Sequence, residues 1–179
     1  MKAVVHLALV AGTLLAAWPA SAMNVGPYRG GPNTSRAAER ILAAHNRERA
    51  RMGAAPLAWD ERLAASAAAY GPMLEQMGAL RHSPRTMRPG QSENLWMGSR
   101  GYYSPEQMVG TWLAERTHMR PGIFPAVSRT GRWEDIGHYT QVVWPTTTHV
   151  GCAVYSAAAN DFLVCRYSPK GNVDGYRFR

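Results

Sequence analysis

Cysteine and lysine are nearly absent from this chain. Cys152 and Cys165 are the only cysteines in 179 residues, and Lys2 and Lys170 the only lysines. Two thiols allow one internal bridge and no more. Arginine therefore supplies the positive charge, scattered from Arg29 to Arg179 without a basic run, and no nucleic-acid-binding motif accompanies it. No stretch repeats, which excludes a repeat array, and past residue 22 no apolar stretch is long enough to span a bilayer. A G-x-S-x-G nucleophile elbow is also missing, which removes the most direct support for a serine hydrolase. The net charge of +8 favours anionic envelope polymers or lipid headgroups. An Ala- and Arg-rich composition inherited from genomic base bias would give the same value.

What is present begins with a targeting pattern. Lys2 precedes an apolar run from Ala3 to Trp18, broken by His6, Gly12 and Thr13, and Pro19 with Ala20-Ser21-Ala22 follows. These are the charged region, apolar region and cleavage site of a signal peptide over residues 1–22. The run is shorter than the ~20 residues a spanning helix needs. The expectation is a secreted or periplasmic protein with no transmembrane segment. Residues 23–34, with Gly26, Pro27, Gly30, Gly31 and Pro32, read as a flexible lead-in. Residues 35–179 read as one domain with enough chain for a sizeable core.

Ser35 is placed to cap a helix in which Ala38, Ile41, Leu42, His45 and Met52 keep helical spacing until Gly53 ends it. His45 then lies on the buried face, where a hydrogen-bonded core histidine is favoured over a metal ligand. Trp59 and Asp60 open a second helix, with Asp60 as cap and Pro72 breaking or kinking it. Its alanines, Ala64, Ala65, Ala67, Ala68 and Ala69, let a neighbour approach the backbone closely. Leu80 to Gly98 is irregular, with a short segment at Glu93-Asn94-Leu95-Trp96 that can pair as a strand.

Ser104-Pro105-Glu106-Gln107 is a capping box with proline at the first helical position. Met108, Val109, Trp112 and Leu113 form the apolar face of that helix, and Glu115 falls at its edge as a carboxylate in need of a partner. Residues 120–136 read as a loop. Thr140 to Trp144 reads as a buried strand, because β-branched and aromatic residues crowd there without charge. His149–Ser156 and Asp161–Ser168 alternate as two strands. Pairing Ser156 with Asp161 puts Cys152 opposite Cys165, inside the disulfide range, and a bridge is the expectation for an exported protein.

Two long motifs carry a family resemblance. Gly137-His138-Tyr139-Thr140-Gln141-Val142-Val143-Trp144 resembles the central signature of the CAP superfamily, the cysteine-rich secretory, antigen 5 and pathogenesis-related 1 proteins, also called the SCP domain. Phe162-Leu163-Val164-Cys165-Arg166-Tyr167-Ser168-Pro169-Lys170-Gly171-Asn172-Val173 resembles its second signature. His45-Asn46 with Arg49, and Glu93-Asn94-Leu95, resemble two weaker motifs, so the similarity spans roughly residues 35 to 175. The resemblance implies a small secreted bacterial-type member with fewer bridges than its eukaryotic relatives. It also implies an α/β fold, an α-β-α sandwich with a three- or four-stranded antiparallel sheet between helices.

By motif position the resemblance assigns a central cavity to His82, Glu93, Glu115 and His138, 11, 22 and 23 residues apart in turn. Those spacings match no compact zinc motif, although imidazole and carboxylate are normal Zn²⁺ ligands. A divalent metal site and a hydrogen-bonded His–Glu network that holds loops on the sheet both fit. Ser92 stands where a glycine commonly precedes the glutamate. Ser83 beside His82 invites a nucleophile–base drawing, but Ser83-Pro84 reads as a turn. Tyr139 and Gln141 read as sheet residues with polar tips near the cavity. Tyr102, Tyr103, Trp133 and Tyr155 suit an apolar ligand, and the family is associated with sterols and lipids. The reading is a secreted binding module with a metal cavity and a possible sterol or lipid ligand. A metal- or His/Glu-dependent hydrolase is the alternative.

Overall fold

The computed structural model describes residues 32–178, with side chains from Arg36 onward. The signal peptide expected over residues 1–22 lies outside the described residues. Helix α1 spans Pro32–Arg51. It begins three residues before Ser35 and takes in the last three residues of the expected lead-in, with a proline at its start, where the missing N–H costs nothing. Ile41, Ala44, His45 and Glu48 are buried at helical spacing, Met52 is exposed beyond the helix end, and Gly53 turns the chain at φ +66°.

Strand β1 (Ala58–Trp59) leads into α2 (Glu61–Ala68), whose cap is Asp60, its carboxylate accepting from the N–H groups of Arg62 and Leu63. The helical path breaks before Pro72, and α3 (Gly71–Met77) follows with that proline in its first turn. Strand β2 is Ser92–Ser99, and α4 is Pro105–Ala114 with both hydrogen bonds of the capping box made. The expected loop 120–136 holds strand β3 (Gly122–Ile123) and a 3-10 turn at Trp133–Ile136. Helix α5 (Gly137–Val142), strands β4 (His149–Ser156) and β5 (Asn160–Ser168), and β6 (Arg177–Phe178) complete the described chain.

The main sheet runs β1-β4-β5-β2, and β3 pairs with β6 in a separate ribbon. The sheet is mixed rather than purely antiparallel, because the two-residue β1 lies parallel to β4 while β5 is antiparallel to both neighbours. A parallel neighbour needs a long crossover rather than a hairpin, and about half of the chain separates β1 from β4. Along β5 the alternation of side chains divides the core. Phe162 and Val164 face Tyr70, Leu74 and Ala67, while Leu163, Cys165 and Tyr167 face Ile41, Trp112, Tyr139 and Trp144. Helices cover both faces, as expected. The alanine-rich α2 closes on β4 so tightly that a Cβ on Gly151 would meet the Asp60 carbonyl oxygen at 2.3 Å. Cys152 and Cys165 are cross-strand partners joined by a disulfide.

The stretch Thr140–Trp144 is not a strand. Its residues lie in and just beyond α5, all buried. Six residues make a marginal helix on their own, and this one is held by distant groups. The Glu115 carboxylate accepts from the N–H of His138 and of Tyr139, 3.0 Å each. At the other end Arg49, fully buried, donates to the carbonyls of Val142 and Trp144 at 2.9 Å and of Thr147 at 3.0 Å. Tertiary capping overrides the β-propensity of the sequence.

Candidate functional site

His82 follows α3 in an exposed loop, and Glu93 is the second residue of β2. His82 Nδ1 lies 2.8 Å from Glu93 Oε1, which also accepts from the Ser83 N–H at 3.0 Å. Glu93 Oε2 accepts from the Ser83 hydroxyl at 3.0 Å and pairs with Arg166 Nη2 at 3.3 Å. Arg166 stands directly across from Glu93 in the β2–β5 register. Its guanidinium lies 5.7 Å from the Tyr70 ring centroid, and Nη1 donates to Ser83 Oγ at 2.8 Å. Both side chains of this pair are fully buried, whereas the His82 side chain is 57% exposed. Burial pushes the Glu93 carboxyl up, but the bonds from His82 and Ser83 and the charge of Arg166 outweigh it and hold the group below its ordinary value.

His138 is the second residue of α5. Its Nδ1 lies 2.6 Å from Glu115 Oε1, and the second oxygen of Glu115 caps the helix. Trp112 stacks on the imidazole at 6.0 Å and 13° between planes. Asn94, next to Glu93 on β2, donates to the His138 carbonyl at 3.1 Å and to the Tyr167 hydroxyl at 3.2 Å. The Tyr167 hydroxyl in turn meets His45 Nε2 at 2.9 Å, while His45 Nδ1 meets the Ile41 carbonyl at 2.8 Å. Because a carbonyl only accepts, Nδ1 carries the His45 proton and Nε2 accepts from Tyr167. Burial lowers the His45 pKa to about 4. His45 is the hydrogen-bonded core histidine the sequence predicts. Asn46 and Arg49, its motif companions, bond the backbone of Leu57 and of the end of α5 with the segment after it.

His82, Glu93 and His138 line one cleft of about 720 Å³, with Glu115 behind His138. The four residues thus form two His–Glu pairs and not one cluster. Among the described residues no three His, Cys, Asp or Glu side chains converge as a metal-binding group. Each carboxylate binds Nδ1 of its histidine, so the neutral ring carries its lone pair on Nε2, the arrangement by which proteins orient imidazole ligands. In donor chemistry the two imidazoles suit a divalent ion, and both line the same cleft. Ser83 is buried and gives its hydroxyl proton to Glu93, with no bond to His82, so the nucleophile–base drawing has no counterpart.

Tyr139 and Gln141, expected in a sheet, sit in α5. The Tyr139 hydroxyl donates to Glu48 at 2.9 Å, and the Gln141 amide oxygen accepts from the N–H of Gly171 at 3.1 Å. Ser92 bonds the same amide oxygen and the same N–H, so the serine in place of glycine ties β2 to both signatures. Asn172 also joins them, donating to the Gly137 carbonyl at 2.8 Å and accepting from Thr140. Of the four aromatics, Trp133 lines the cleft; Tyr102 packs edge-on against Tyr103, which packs edge-on against Trp96 instead. Sequence reasoning passed over Arg166, although a strand through Glu93 docked on β5 would have placed them opposite each other.

The profile of the Cysteine-rich secretory protein family, CAP, matches residues 42–167. The chain belongs to this family. The CAP domain here is 37% identical over 139 residues to the pathogenesis-related protein PR-1 of Medicago truncatula, covering 76% of each chain. It is 37% identical over 137 residues to pathogenesis-related protein 1C of Nicotiana tabacum, covering 75% of this chain and 76% of the relative. These are plant proteins, and they lend no support to the expectation of a bacterial-type member. Among solved structures, NaASP2 with Zn²⁺ superposes at TM-score 0.71 with 25% identity, covering 84% of this chain and 87% of that one. BmVAL-1 superposes at 0.69 with 20% identity over 83% and 84%, a likeness of fold.

Proposed function

We propose that the protein is an exported CAP-domain binding protein whose cleft takes a divalent ion, zinc first, on Nε2 of His82 and of His138. The observation that carries this reading is the matched pair of Nδ1–carboxylate bonds, which leaves two lone-pair nitrogens on residues lining one cleft. Glu93 and Glu115 act as the groups that orient the rings, and a zinc-bound structural relative agrees with the chemistry. Export accords with a disulfide in a chain that has no other cysteine. No described helix is long and apolar enough to cross a membrane.

Binding is favoured over catalysis by how the carboxylates are used. Hydrolysis needs a base within reach of a nucleophile or bound water, and the oxygens of Glu93 and Glu115 already accept from His, backbone and, for Glu93, Ser83 and Arg166. A sterol or acyl ligand draws support from the family resemblance alone, since among the described residues Trp133 and Val173 are the only large apolar side chains on the cleft wall. Calorimetric zinc titration of the wild type and of His138→Ala tests the reading. Saturable binding at one site, lost in the variant and weakened by acid as the imidazoles protonate, is expected. Undiminished affinity in His138→Ala removes that histidine and leaves a structural network.

A further inference from the structure

We propose that the same cleft binds a soluble phosphorylated sugar, its phosphate held by Lys170, Arg85 and Arg88 beside the two imidazoles. The inference rests on the metal reading and names the co-ligand of that site. All three cations line the cleft, and among the described residues none is paired with a carboxylate. Arg88 is already oriented. Its Nε donates to the carbonyl and the hydroxyl of Ser83 at 3.1 Å each, and Nη1 donates to the Gln91 carbonyl at 3.2 Å, which leaves Nη2 over. The backbone N–H of Lys170 donates to the Gly90 carbonyl at 3.2 Å, fixing the base of its side chain against the loop that carries Arg88. A fixed guanidinium and an ammonium lining one cleft suit a dianionic phosphate, which takes directed bonds from one and point charge from the other. A divalent ion held by His82 and His138 would add positive charge for the phosphate to meet.

The rest of the lining decides what the phosphate is attached to. Glu134 and Asp174 also face the cleft without a cationic partner among the described residues. They repel a bare anion at their end and accept hydrogen bonds from hydroxyl groups there. Trp133 is 41% exposed, its ring held edge-on by Phe124 and seated over Gly137, where a Cβ would come within 3.0 Å of it. A flat apolar face beside carboxylates fits a polyhydroxylated ring with C–H groups on one side. A sugar phosphate presents both halves at once.

Calorimetry tests this in two stages at constant ionic strength. Zinc is titrated first, and its failure to bind the wild type overturns the metal reading. Glucose 6-phosphate is then titrated into zinc-saturated protein. Saturable binding is expected, weaker for glucose and for acetate, with a loss of about tenfold or more in Lys170→Ala/Arg85→Ala while zinc affinity is retained. Glu134→Gln should tighten inorganic phosphate and weaken the sugar phosphate. Unchanged binding in the double variant, or acetate bound as well as the sugar phosphate, overturns the inference and leaves the zinc result standing. Sedimentation with vesicles containing phosphatidic acid, absent from phosphatidylcholine vesicles, would overturn the soluble ester in favour of a lipid headgroup.

Discussion

The two walls of the cleft carry the same His–Glu unit built in different ways. In the His82 wall the carboxylate is fully buried, and a cross-strand arginine, also fully buried, supplies the countercharge. In the His138 wall Glu115 is 20% exposed, and two N–H groups at the start of α5 take the place of the arginine. A sheet offers no dipole of its own, so a carboxylate inside it needs a cation. A helix N-terminus offers unsatisfied N–H groups and partial positive charge, so a carboxylate there is satisfied without one. Both solutions end in an oriented imidazole, but the first is anchored in the core and the second in a short helix that depends on the carboxylate it holds.

The comparison can be broken by removing each countercharge in turn. Arg166→Met should cost the most, about 3 to 5 kcal/mol in chemical denaturation, because it leaves Glu93 buried without its cation. Adding Glu93→Gln should recover part of that loss, and an Arg166→Met cost no larger than that of a surface substitution would contradict the account. Acid probes the layer beneath His138. A histidine whose pKa falls from 6.5 unfolded to about 4 folded binds fewer protons in the folded state across that window. Its contribution is therefore complete above the upper value and fades as pH drops to the lower, by about 3 kcal/mol. Glu93, held below its ordinary value, adds a separate loss only at lower pH. Stability followed from pH 7 to 4 should fall in the wild type and stay flatter in His45→Gln. The smallest effect belongs to Glu115→Gln, about 1 kcal/mol as for a lost helix cap, with α5 showing the faster amide exchange.

Much of the scaffold was legible because its causes are local. The capping box at Ser104, the cap at Asp60 and the break before Pro72 depend on residues within a turn of each other. The Cys152–Cys165 register followed from one hairpin. Helix α5 was misread because its caps, Glu115 and Arg49, lie 22 and more residues away, while its own β-branched residues argue for a strand. The two-residue β1 has too little pattern to announce a parallel pairing. Membership of the four cavity residues came from the family motifs, not from spacing, and the pairing of His82 with Glu93 and of His138 with Glu115 needed the three-dimensional fold. Arg166 was hidden for a related reason: its partner lies on a strand whose docking no local signal specifies.

The central claim is that the two walls act as one site, and a zinc-binding cycle over His82→Ala, His138→Ala and the double variant tests it most directly. Residues that share one ion are not additive. Calorimetry should find one zinc per wild-type chain, a loss of affinity in each single variant, and a double variant hardly weaker than either. Two independent additive losses, or undiminished zinc affinity after either substitution, would contradict the shared site.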